Sequence, residues 1–178
     1  IQIVLPESMA KETPTATLTP TATPENRENA NGAFWFSELD FEKEYRERLN
    51  DLGLTMITKN EKMLDIQTDK TYLIAYENFN FAGVVLMKPS SSSKIIDQAS
   101  ISYPISNIES YGNEITLATA ALILTCDPTL DGKDEALEII KRTIELELSG
   151  IHEYKLNGMK YMVVVEGEMY GMYMRVLD

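Results

Sequence analysis

The sequence predicts an α+β domain: one antiparallel β-sheet of meanders and hairpins, an N-terminal amphipathic helix, and two consecutive central helices packed on one face. Three observations carry this. Phe41, Tyr45, Leu49 and Leu52 recur at helical spacing near the start of the globular region. Strand-like segments come in blocks rather than alternating singly with helices, which disfavours a doubly wound parallel sheet. Asn157-Gly158, between Tyr154-Lys155-Leu156 and Met159-Lys160-Tyr161, is a strong signal for a tight hairpin.

Taken in order, the first helix has Ser37 or Asp40 as its cap and Gly53 as its stop. Four strand-like stretches follow, Thr55–Lys59, Lys62–Thr68, Thr71–Glu77 and Phe81–Lys88, broken by Lys59-Asn60-Glu61, Asp69-Lys70 and Asn78-Phe79-Asn80. Pro89 and four serines read as a loop. A further strand lies within Ile95–Tyr103, ended by Pro104. Glu114–Cys126 is apolar nearly all round, so it reads as the buried central helix, stopped at Asp127-Pro128. Asp131 or Thr129 opens the next helix, roughly 132–148, whose core face reads as Ala136, Leu137, Ile140, Ile144 and Leu148. In the closing hairpin, Leu156 should face Met159 and Tyr154 should face Tyr161, with Val163 and Val165 continuing that side. Lys155 would then oppose Lys160 on the other side, which should be wet, because facing like charges need water. A turn near Glu166-Gly167 returns the chain as Glu168–Leu177, where Gly171 suggests a bulge or close packing.

Ahead of this domain, expected over 33–178, lie two other segments. Residues 1–10 read as the remnant of a signal peptide: an apolar stretch, Pro6, then Ser8 and Ala10 as the small residues a signal peptidase requires. Because the chain opens on Ile1, the charged part of such a signal is expected upstream. Residues 11–32 repeat Thr-Pro-Thr-Ala-Thr at 13–17 and 19–23 and hold no aromatic residue. They read as a disordered Thr/Pro-rich linker, able to hold the domain away from a wall or membrane.

Composition excludes several functions. The 178 residues carry 16 Lys+Arg against 28 Asp+Glu, a net charge of −12, which argues against nucleic acid and against anionic lipid as partners. No apolar run is long enough for a transmembrane span. One His and one Cys exclude a disulfide framework and a His/Cys zinc site, so no metal and no cofactor are expected.

The groups that could carry chemistry have plain structural readings. His152 lacks a local nucleophile or orienting acid, and Cys126 ends the most apolar helix, where a thiol is inert. Asp127, Asp131 and Asp134 partly match a calcium loop, with Gly132 sixth and Glu138 twelfth, but Pro128 is second and the ligand set is incomplete, so turn and cap roles are favoured. Glu166 and Glu168 could pair as glycosidic carboxylates, although a hairpin tip usually leaves such groups solvated. There is no phosphate-cradling glycine loop and no Gly-x-Ser-x-Gly elbow. No residue is therefore assigned as catalytic.

The binding candidates are aromatic and Met residues: Trp35 beside Phe34 and Phe36, and Tyr170, Met172 and Met174, which share one face of the last strand. Met169 and Tyr173 share its other face. Either the strand is central and covered on both sides, or one face is an exposed, adaptable patch.

The layout over about 35–178 resembles small exported or lipid-anchored domains of Gram-positive-type bacteria whose function is uncharacterised. The Thr/Pro stalk carries the likeness, with Phe41 and Arg48-Leu49-Asn50, then Ala121-Leu122-Ile123-Leu124 and Asp127-Pro128, then the Asn157-Gly158-Met159-Lys160-Tyr161 hairpin. The resemblance implies no catalytic residues. The expectation is an extracellular or cell-surface, non-enzymatic binding domain on a flexible stalk, its partner an unknown protein or cell-envelope component, with a membrane or wall tether through the N-terminus. The alternative is a small extracellular hydrolase using carboxylates alone, Glu166 with Glu168 or Asp127 with Asp131. A cytosolic adaptor with a disordered tract is a third reading.

Overall fold

A computed structural model describes residues 28–29, 32–54, 61–62, 72–79, 82–88 and 95–177. The signal-remnant reading, most of the linker, the serine loop and the strand-like stretches over 55–60 and 63–71 lie outside these residues.

Helix α1 (Glu38–Asp51) begins where the sequence placed it. Ser37 is the N-cap, and Ser37 and Asp40 exchange hydrogen bonds in a capping box. Strands β1 (Glu61–Lys62), β2 (Tyr72–Phe79), β3 (Ala82–Lys88) and β4 (Gln98–Pro104) form an antiparallel meander. Two details differ from expectation. Glu61, read as part of a turn, pairs with Tyr76, since an edge strand needs only backbone partners and tolerates charge. Strand β2 continues through Asn78 and Phe79, with a register shift between Glu77 and Phe79 that absorbs the expected break.

After a 3-10 turn (Ile105–Asn107) comes helix α2 (Ile108–Cys126), starting six residues earlier than predicted. The predicted boundary survives as a kink: Tyr111, just before Gly112-Asn113, has non-helical φ −131° and ψ 19°. Helix α3 (Lys133–Leu148) follows. Its N-cap is Gly132 with no side-chain cap, so neither Asp131 nor Thr129 opens it. Instead the Glu135 carboxylate reaches back to accept from the Asp131 N–H at 2.7 Å. Its buried residues are Ala136, Ile139 and Thr143, with Leu137 and Ile140 packed beside them, whereas Leu148 is exposed. The stripe thus keeps the predicted Ala136, Leu137 and Ile140, gains Ile139 and loses Leu148, because only the residues over β5 and β6 and against α2 are covered.

Strands β5 (Tyr154–Leu156), β6 (Met159–Glu166) and β7 (Met169–Val176) close the fold. The hairpin register is the predicted one: Leu156 faces Met159, Lys155 faces Lys160 and Tyr154 faces Tyr161. Asn157 and Gly158 both take positive φ, 51° and 73°, as a type I′ turn requires. The sheet order is β1-β2-β3-β4-β7-β6-β5, so the last strand is inserted beside β4 and every pairing is antiparallel.

Helix α2 lies across β4 and β7, with α1 packed on one side of it and α3 on the other. All three helices cover the same sheet face. On it, Val84, Leu86, Ile101, Tyr161 and Met174 are fully buried under Ile115, Ala118, Leu122 and Ile123. Burying such side chains supplies about 1.5–3 kcal/mol each, which is what holds helices to sheet. Thr119 and Thr125, though buried in α2, return their hydroxyls to the carbonyls four residues back at 2.8 Å.

Candidate functional site

The predicted binding residues separate into different roles. Met172 and Met174 are 5% and 0% exposed and belong to the core beneath the helices. Tyr170, on the same face, is half-buried with its ring 5.7 Å from that of Tyr103. Desolvation there, with Tyr170 alongside, pushes the Tyr103 phenol up to about 12. Trp35 anchors the segment leading into α1: its indole N–H donates to the Thr125 carbonyl at 2.9 Å, and its ring meets Phe36 edge-on. Trp35 and Met174 are therefore packing, whereas Tyr170 and Met172 also line a groove between β4 and β7. The ordered framework also reaches back past residue 33. Asn29, assigned to the linker, donates to the Cys126 carbonyl at 2.7 Å and accepts from the Trp35 N–H at 3.1 Å.

The candidate chemical groups are dispersed or committed. Cys126 is buried, and desolvation with Asp127 nearby holds its thiol well above the usual range. His152 is exposed and contacts the Glu147 carboxylate at 2.9 Å. Asp127 is buried and occupied: it accepts from the Thr129 N–H and hydroxyl at 3.1 and 2.6 Å, from the Tyr161 hydroxyl at 3.1 Å, and from the Asn157 amide at 3.4 Å. Desolvation and this carboxylate raise the Tyr161 phenol far above its ordinary value. Asp131 and Asp134 are exposed and take no part in that network. Glu166 and Glu168 are exposed. Among the described residues no group of three or more His, Cys, Asp or Glu is placed to hold a metal ion. Nor, among them, is any helix long and apolar enough to cross a membrane.

Among the described residues, what the helices leave uncovered is the opposite sheet face. Antiparallel partners point to the same side, so the register fixes what this face displays. Four rows cross it. Lys160, Arg175, Gln98 and Met87 form the first; Met162, Tyr173, Ser100 and Val85 the second. Val164, Gly171, Ser102 and Gly83 form the third, and Glu166 with Met169 begins the fourth. Lys155 extends the first row onto β5.

Within this face lies an open groove of about 300 Å³ bordered by Met87, Tyr173, Val164 and Met169, with Ser100 and Ser102 between them. Gly171 sets its floor. A Cβ there would lie 2.5 Å from the Ile101 carbonyl oxygen and 3.2 Å from the Ser102 Cα, so only glycine lets β7 approach β4 this closely. The Tyr173 hydroxyl is tied to the Gln98 side-chain oxygen, and desolvation raises its phenol despite Arg175 nearby. A second cavity, about 460 Å³, sits at the α3–β5 edge among Thr129, Glu135, Tyr154 and Asn157.

The open face was within reach of the sequence. Lys155 opposite Lys160 marked the wet side, and alternation carries that side to Met162 and Val164, then through the turn to Met169, Gly171 and Tyr173. The fold and this face define a class: a two-layer α+β domain with helices on one sheet face and, among the described residues, none on the other. No protein-family model, curated protein or solved structure matches the chain.

Proposed function

We propose that the chain is a secreted or cell-surface-tethered, non-enzymatic binding domain, which meets a protein or another component of the cell envelope through the open sheet face. One observation carries the reading. The uncovered face, where polar side chains are the rule, instead displays Met162 and, around a groove, Met87, Val164, Met169 and Tyr173. Met is suited to adaptable contacts, and Tyr adds area at low entropic cost. The Thr/Pro tract and the Ser8/Ala10 pattern support export and a stalk. The carboxylate-hydrolase reading has less behind it: Asp127 is spent on the hairpin network, and Glu166 and Glu168 flank an exposed turn.

The test pairs retention with turnover. Purified full chain should bind a washed cell-envelope preparation saturably, and Met169→Glu should abolish retention without altering the circular dichroism spectrum. Hydrolysis of wall glycan or peptide substrates, lost in Glu166→Gln or Glu168→Gln with the fold intact, would replace this reading with the hydrolase.

A further inference from the structure

The open face is complementary to itself, and we infer that a second copy of this chain docks on it, two-fold and face to face. The inference rests on the reading of this face as the contact surface and names its partner.

Charge and size both run along the strands. Cations stand at one end of the face, Lys155, Lys160 and Arg175, and Glu166 at the other. Glu153, just before β5, ion-pairs with Lys160 at 3.1 Å and Lys155 at 3.4 Å, and both contacts hold its own carboxyl below the usual value. Arg175 has no ion pair among the described residues, and it is exposed. Between the ends, the bulky Met162–Tyr173 row lies beside the low Val164–Gly171 row.

A closed dimer through this face needs a two-fold axis in the plane between the sheets. An axis parallel to the strands would lay the cation row on its own copy. An axis perpendicular to them reverses the strands. Lys160 and Arg175 then meet Glu166 of the other copy, and Tyr173 settles over the groove lining at Gly171. Only this arrangement satisfies charge and shape together. Six interstrand spacings of about 4.8 Å and strands about 23 Å long bound the face at roughly 700 Å², just under the roughly 800 Å² each partner of a stable pair buries. The pair therefore belongs among dilution-sensitive dimers.

Sedimentation equilibrium of the full chain over about two decades around micromolar concentration tests this. Reversible dimers are the expected result. Arg175→Glu and Glu166→Lys should each weaken association at least about tenfold, and the double charge swap should restore it to within about threefold. Both positions are exposed, so the fold is retained. A monomer at every concentration, dimers indifferent to either single change, or a double variant no better than the singles would each overturn the inference. None of those results touches envelope binding, and turnover of a wall substrate would remove the binding reading while leaving the dimer in place.

Discussion

Asp127 occupies an unfavourable place for an anion, the C-terminal end of α2, where the helix dipole is negative. Its charge is held there by donors from three sources: its own turn through Thr129, the hairpin tip through Asn157, and β6 through Tyr161. Removing the carboxylate strands buried donors. Asp127→Ala should cost about 2–4 kcal/mol, while Asn157→Ala, which loses two rim hydrogen bonds and puts Ala at φ 51°, should cost about 1–2 kcal/mol. Denaturant midpoints at unchanged m-value check both. The same burial governs pH behaviour. Tyr103 and Tyr161 stay protonated in the folded chain beyond the ordinary value of about 10. Unfolding above that pH releases their protons, so stability is full below about pH 10 and falls as pH rises toward the folded values, about 12 for Tyr103. A phenolate absorbance titration should show these two ionising above the ordinary phenol range, with the unfolding transition rather than before it. Early, reversible ionisation of every tyrosine in the folded chain would contradict the packing described.

At the scale of elements, α3 shows how far periodicity carries. The sequence placed its ends almost correctly, yet missed Ile139 and included Leu148, because Leu137, Ile139, Ile140, Ile144 and Leu148 admit more than one apolar face and only the neighbours choose. The structure chooses Ile139 and leaves Leu148 84% exposed. Ile139→Ala should therefore cost about 2–4 kcal/mol, and Leu148→Ala should stay within about 0.5 kcal/mol. Thermal or denaturant unfolding distinguishes this from the predicted stripe, which would reverse the two. The Asn157-Gly158 hairpin was legible to the residue because the turn type itself demands those residues and so sets the register. The start of α2 was not, since the apolar run begins only at Glu114, whereas the helix opens at Ile108 and carries a kink at Tyr111. Asn29 was also hidden: its bonds to Cys126 and Trp35 join residues distant in sequence, and no local pattern records them.

Over the whole molecule, the fold class followed from blocks of strands and helices, and the sidedness of the sheet from the facing Lys155 and Lys160 rather than from β7 itself. Strand β7 is apolar on both faces, so its sequence alone admits burial of either. Its insertion between β4 and β6 under α2 sends Met172 and Met174 inward and leaves Met169 and Tyr173 on the bare side. The candidate surface thus lies on the opposite face of the very strand the sequence singled out. The account turns on this division of one sheet into a sealed and an open side.

Methionine oxidation measures that division directly. The full chain, diluted below the range in which it pairs, is exposed to peroxide and its sulfoxides are mapped by mass spectrometry. Among the methionines of the described residues, Met169, 39% exposed, should oxidise first, with Met162 and Met87 following. Met159 and Met174, fully buried, and Met172 should resist until the chain unfolds. Oxidation of Met172 and Met174 in the folded chain as fast as Met169 would mean that the helices do not seal that face, and the assignment of the contact surface would fall with it.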